Sequence, residues 1–266
     1  MSQDPVKIVL TCILFIFIIF VVCRYIYNKN KNNREIKTYI NFITLKFPKF
    51  VFHPNICLDN SDLNNFNILI GADNVYSNRI IEGKTDRNIK FKLGQIIILK
   101  VSGALAFLKV FSALSGQGAS VARIPGSRPL LKGLMLVSDV QEPNNSTVLI
   151  CTNNLLDKYK FDTKSLKNRI TEDELMSNNY SIFYSENSKI DISNSLLDSL
   201  KDMDSVFPNG FFIYLNNNNL YIVCLNEELL SIKSNEVSSE KDWNNCCCII
   251  NSIVNLLDNV ENSLVH

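Results

Sequence analysis

Histidine is almost absent from this chain: His53 and His266 are the only two in 266 residues. A serine or cysteine triad would have to be built on His53, which sits between Phe52 and Pro54, and no Gly-x-Ser-x-Gly elbow occurs to supply the nucleophile. Phosphate cradles are missing too. Gly116-Gln117-Gly118-Ala119-Ser120-Val121 begins like a dinucleotide fingerprint, but Val121 stands where the third glycine belongs, and no Walker lysine follows a glycine pair. Eight cysteines are present without the regular spacing of a disulfide framework. Cys246, Cys247 and Cys248 are adjacent, so on a helix they point about 100° apart and do not converge on a metal; they read as core residues. An excess of either charge is lacking as well. With 27 Lys+Arg against 26 Asp+Glu the formal net charge is +1, which excludes a basic nucleic-acid-coating protein and an acidic disordered tail. No catalytic, cofactor-binding or metal-ligating residue is assigned, no cofactor is expected, and an enzymatic role is disfavoured.

What is present is apolar. Hydrophobic residues make up 46% of the chain, enough for a packed core and too much for intrinsic disorder. Ile8 to Cys23 (IVLTCILFIFIIFVVC) is sixteen residues without a charge. As a helix it spans about 24 Å, slightly under the hydrocarbon thickness of roughly 30 Å, with Lys7 and Arg24 able to snorkel and Tyr25 and Tyr27 suited to an interface. No small-x-small cleavage site follows it, so an uncleaved transmembrane helix over about residues 7–27 is expected. Arg24, Lys29, Lys31, Arg34 and Lys37 follow the run with Glu35 alone opposing them. The positive-inside rule then puts the N-terminus outside and the C-terminal body in the cytoplasm.

Beyond the run, Asn28 to Asn33 (NKNKNN) reads as a short juxtamembrane linker, and Ile36, Ile40, Ile43 and Phe47 recur at helical spacing until Pro48 stops them. Short strands are expected at Phe50–His53, Phe66–Ile70, Ile89–Leu93 and Ile96–Val101. The clearest hairpin is Gly210–Leu215 with Leu220–Leu225 around four asparagines. Ser193 or Ser195 can cap a helix carrying Leu196, Leu197, Leu200 and Met203, and a second amphipathic helix runs from Trp243 to Val260. Strands and helices mix without βαβ alternation. The fold class expected is α+β: an N-terminal transmembrane helix, then a mixed, mainly antiparallel-strand domain with a few packed helices. The divisions are residues 1–27 for the anchor segment, 28–44 for linker and helix, and 45–266 for the domain.

Charge is uneven along the chain. Residues 1–138 hold 18 basic and 7 acidic side chains, residues 139–266 hold 9 and 19, and no carboxylate occurs from Arg87 to Ser138. The bases of one half are expected to pair with the acids of the other inside one fold. Gly116 to Arg128 (GQGASVARIPGSR) within the acid-free interval is rich in small residues. Lys100, Lys109, Arg123, Arg128 and Lys132 are the candidate contacts to an anionic surface, whether lipid headgroup or phosphorylated ligand.

Four motifs occur in one order: Ile80–Lys84 (IIEGK), Leu131–Val140 (LKGLMLVSDV), Ser181–Leu200 (SIFYSENSKIDISNSLLDSL) and Gly210–Leu225 (GFFIYLNNNNLYIVCL). Together they resemble the bacterial domain-of-unknown-function 3137 family over roughly residues 45–225. Leu131 and Val140 depart from it, standing where the family has phenylalanine. The resemblance implies a membrane-anchored protein with an α+β cytoplasmic body and carries no activity or functional residue. The combined expectation is a single-pass protein of a bacterial inner membrane. Its integral partner is the bilayer, its domain serves as an interaction or scaffolding module with a protein partner, and nucleic acid is not a ligand. The alternative is a membrane-associated enzyme or ligand-binding domain using the basic loop.

Overall fold

The computed structural model describes residues 5–63, 66–72, 74–100, 128–139, 147–164, 166, 168–170, 179–185, 193–216, 218–225 and 240–264. In chain order the elements are α1 (Pro5–Lys46), β1 (Val51–His53), a one-turn α2 (Asn60–Leu63), β2 (Asn74–Lys84), β3 (Lys90–Lys100), β4 (Arg128–Asp139) and β5 (Thr147–Thr152). There follow a short α3 (Asn153–Lys158), β6 (Asn168–Ile170), β7 (Tyr180–Tyr184), α4 (Asn194–Val206), β8 (Phe211–Asn216), β9 (Asn219–Cys224) and α5 (Glu240–Leu264).

The nine strands make one sheet in the order β1-β2-β3-β4-β9-β8-β5-β7-β6, and each neighbouring pair is antiparallel. Its centre, β8 and β9, is apolar at consecutive positions because both faces are covered. On one face Phe211, Ile213, Leu220 and Ile222 pack under the end of α1, α4 and α5. On the other, Phe212, Tyr214, Tyr221 and Val223 pack under Leu58, Phe66, Ile68 and Leu69 and under Leu155, Tyr159, Phe161 and Leu166. The expected strand at Phe66–Ile70 belongs to that cover: it makes an isolated bridge, Leu69 to Phe161, rather than joining the sheet. Ile89–Leu93 and Ile96–Val101 are not two strands; residues 90–100 form the single β3, and residues 101–127 lie outside those described.

The helices on the first face follow from capping and periodicity. Ser193 precedes α4, and its hydroxyl accepts the Leu196 N–H at 3.2 Å, satisfying one orphan amide of the first turn. Leu196, Leu200 and Met203 then face the sheet, while Tyr180 of β7 donates its phenolic hydrogen to the Leu200 carbonyl at 2.7 Å. Along α5, Cys246, Ile249, Ile250, Ile253, Leu256, Leu257 and Val260 make one buried stripe at the 3.6-residue period. The last turns of α1 dock on the same layer. Tyr39 stacks on Phe52 at 5.2 Å between ring centroids, and Trp243 of α5 sits 5.6 Å from Tyr39 and 4.2 Å from Phe42.

The N-terminal region requires correction. Among the described residues no helix is long and apolar enough to cross a membrane. The expected anchor, about residues 7–27, is the first part of α1, which runs from Pro5 to Lys46. The helix does not end with the apolar run. It continues through Asn28–Asn33, where a linker was expected, and on to Tyr39 and Ile43 in the core, so the polar turns belong to α1 itself. The expected transmembrane helix, the single-pass class, the integral bilayer partner and the inner-membrane location with the N-terminus outside are therefore all overturned.

The join between β4 and β9 has a steric requirement. A Cβ on Gly133 would lie 2.1 Å from the Cys224 carbonyl oxygen, a backbone atom that cannot rotate away. Gly94 differs: a Cβ there would meet Leu58 and Ile80 side-chain atoms at 3.5 Å and beyond, ordinary contact distance. Gly133→Ala is expected to lower stability by about 1–3 kcal/mol through forced separation of β4 from β9. Gly94→Ala should stay within about 0.5 kcal/mol or stabilise slightly, since glycine weakens a strand interior. Urea midpoints of the two variants at unchanged slope measure the difference.

Candidate functional site

The β2–β3 hairpin is closed by Thr85 to Ile89. The Thr85 N–H donates to the Ile89 carbonyl at 2.9 Å and the Asn88 N–H to the Thr85 carbonyl at 3.0 Å, while Asn88 takes φ of 69°, a conformation asparagine tolerates. The Thr85 hydroxyl oxygen accepts the Arg87 N–H at 3.2 Å. This tight closure sets the register, which runs Lys84 to Lys90, Gly83 to Phe91 and Glu82 to Lys92. Side chains alternate along a strand, so Glu82, Lys84, Lys90 and Lys92 project from one face.

Against that face opens a cleft of about 530 Å³. Three other pieces of chain complete it: Lys49 and Val51 at the start of β1, Asp62 of α2, and Val137 to Asp139 at the end of β4. Ion pairs hold these pieces together. Lys49 Nζ donates to Asp86 Oδ1 at 2.8 Å, and Lys92 Nζ reaches Asp62 Oδ1 at 2.8 Å and Oδ2 at 2.9 Å, with Asp59 at 3.8 Å. His53 Nε2 lies 3.3 Å from Glu82 Oε2 at the sheet edge.

The electrostatics differ between these pairs. Burial alone would lower the Lys92 ammonium, but its hydrogen bond to Asp62 and the charges of Asp62, Asp59 and Glu82 hold it above its ordinary value. The hydrogen bond and charge of Lys49 keep Asp86 below the usual carboxylate range. Lys84 and Lys90 are both exposed and face each other directly, and among the described residues neither takes part in an ion pair. At about 5 Å between Cβ atoms two like charges repel.

Of the five bases singled out from the sequence, Lys100, Arg128 and Lys132 lie on described strands. Lys100 ends β3, exposed, its aliphatic stem close to Gly71, and Arg128 is its backbone partner in register. Lys132 pairs with Ile97, on the opposite face from the neighbouring Leu131–Ile98 pair. Lys109 and Arg123 lie outside the described residues. Lys100 is ten residues along β3 from Lys90, about 33 Å from the cleft. The cleft was missed because its chemistry appears only when strand register places Lys84 beside Lys90; IIEGK and the acid-free interval contain those lysines without revealing their pairing. The ion pairs of the cleft also join residues within the basic half, where pairing with the acidic half was expected.

Among the described residues no group of three or more His, Cys, Asp or Glu is placed to hold a metal. The cysteine triplet is not uniformly core. Cys246 is buried beside Tyr39, Cys247 is half-buried, and Cys248 is exposed. Burial, with the neighbouring Cys247, pushes the Cys246 thiol up to about 11 against a smaller opposing effect of the Tyr39 hydrogen bond. A second cavity, about 380 Å³, is lined by Thr152, Asn153, Asn154, Asn179 and Asp204. Two of its polar groups satisfy each other, Thr152 Oγ1 donating to Asn154 Oδ1 at 2.7 Å, and Ser181 Oγ donates to Asn153 Oδ1 at 2.6 Å, an arrangement that serves packing around Gly210.

No protein-family model and no curated protein matches the chain. Among solved structures it shows a distant likeness to the crystal structure of the mycobacterial trehalose monomycolate transport factor A, TtfA, at 7% identity and a TM-score of 0.39, over 86% of this chain and 93% of that one. A likeness at that level carries no argument about fold or activity.

Two measurements test the site. Lys92→Ala leaves Asp62, whose side chain is 13% exposed, without its partner, and should cost about 1–3 kcal/mol. Lys49→Ala removes a pair exposed at 61% and 92% and should leave stability nearly unchanged. Because the folded state raises Lys92, its contribution is complete below the ordinary lysine value of about 10.5 and is lost only as pH rises through the higher folded value. Thermal melts of wild type and Lys92→Ala should therefore keep a constant gap from pH 7 to 9 and converge above that range. Thiol labelling at pH 8 should modify Cys57 and Cys248 at once, Cys246 slowly, and Cys151 and Cys224 on unfolding, as mass spectrometry of timed samples would show.

Proposed function

We propose that this chain is an interaction module that seats a segment of a protein partner in the cleft between the β2–β3 hairpin, α2 and the start of β1. The observation that carries the reading is the pre-built concavity. Elements distant in sequence are tied around one space by Lys49–Asp86 and Lys92–Asp62, with Val51 and Val137 supplying apolar wall between the charges. At about 530 Å³ the space falls within the range of roughly 300–1,000 Å³ usual for ligand sites, and a mixture of apolar wall and few fixed charges suits recognition of a short peptide. Belonging to the domain-of-unknown-function 3137 family is part of the same proposal; it rests on the order of the four motifs and adds no activity.

A photo-crosslinking residue placed at Val51, which lines the cleft and is 56% exposed, should give one discrete adduct in the native host when the full chain is expressed. The same probe at Asp198 on the outer face of α4, 76% exposed, should give none of it. Identical adducts from both positions, or none from Val51, would overturn the reading.

A further inference from the structure

We infer, on the reading of the cleft as a partner's seat, that the segment it receives is acidic, with a carboxylate held between Lys84 and Lys90. The argument begins with a cost. Two lysines directly opposite across a hairpin repel each other, and a fold free to choose would place a carboxylate at one of the two positions. The next rung on the same face shows that solution: Glu82 faces Lys92. At the Lys84–Lys90 rung the repulsion stands, and Arg87 in the connecting turn adds a third exposed positive charge.

The acids around the cleft do not offset it. Asp86 is engaged with Lys49, Asp62 with Lys92, and Glu82 lies against His53. Among the described residues Asp139, at the end of β4, is the remaining lining carboxylate. Lysines present separate point donors rather than the planar fork that arginine offers to phosphate. The apolar wall of Val51 and Val137 beside the lysine rung accommodates the aliphatic part of such a segment. A peptide in which glutamate alternates with valine matches that order of charge and wall.

The test uses the full chain and a fluorescein-labelled eight-residue peptide alternating Glu and Val, read by anisotropy. Binding should weaken as salt rises, fail for the analogue with Gln in place of Glu, and fall about fivefold to tenfold in Lys84→Gln/Lys90→Gln, while Lys201→Gln on α4 leaves it unchanged. The double variant should melt at the same temperature as the parent or higher, because the repulsion is relieved. This separates loss of binding from loss of fold. Equal binding of the Gln analogue, equal binding by the double variant, or a lowered melting temperature overturns the inference. So does displacement of the peptide by inorganic phosphate at concentrations where acetate has no effect, or preferential binding to vesicles of phosphatidylcholine with phosphatidylserine over the peptide. Should the Val51 crosslink persist while the peptide fails, the acidic chemistry falls and the interaction module stands; should both fail, both fall.

Discussion

The pairing of β4 with β9 is the constraint on which the molecule depends. From Leu134–Cys224 to Asp139–Asn219 this ladder joins the four N-terminal strands to the five that follow, and both apolar layers run unbroken across it. A separation of even half an ångström along the seam would open the sheet at its midline, because packed interiors lose contact energy steeply with distance. The site depends on it in turn. Val137, Ser138 and Asp139 form one side of the cleft because β4 is anchored by β9, and the Ser138 hydroxyl donates to the Lys90 carbonyl at 2.9 Å, fixing β3 at the rung that matters.

Much of the architecture was legible where local and global preferences agree. The β8–β9 hairpin announces itself by two apolar runs around asparagines, α4 by Ser193 and its leucines, and α5 by a stripe that recurs at helical period. The failures have physical causes. β2 (NVYSNRIIEGK) carries polar and charged residues and a register shift between Asn78 and Ile80 around Arg79 at φ of 54°, so no period-2 pattern survives in it. Phe66–Ile70 has a strand's composition but covers the sheet instead of joining it, and burial alone does not distinguish the two uses. The apolar N-terminal run was read by hydropathy in isolation, whereas in the fold it is one stretch of a 42-residue helix whose far end is a core element.

The candidate site was legible only in part. The acid-free interval from Arg87 to Ser138 contains Lys90 and Lys92, which line the cleft. Its emphasis fell on Gly116–Arg128 because flexible small residues suggest a binding loop. Which lysines meet is decided by strand register, and Lys84 gains Lys90 as neighbour only because Asn88 permits a tight reversal. Lys49 and Asp62 arrive from elements some forty and twenty residues away, a juxtaposition that no window of sequence contains.

α1 docks at its C-terminal end. As a helix of 42 residues it is about 63 Å long, yet among the described side chains its buried ones, Tyr39 and Ile43, lie near its C-terminal end. The docked end is aromatic: Tyr39 and Phe42 against Trp243, with Phe52 of β1 beneath. β1 leads back through Val51 to Lys49 at the rim of the cleft. The aromatic seat of α1 and the rim of the cleft thus share β1, and the single tryptophan of the chain lies at that junction.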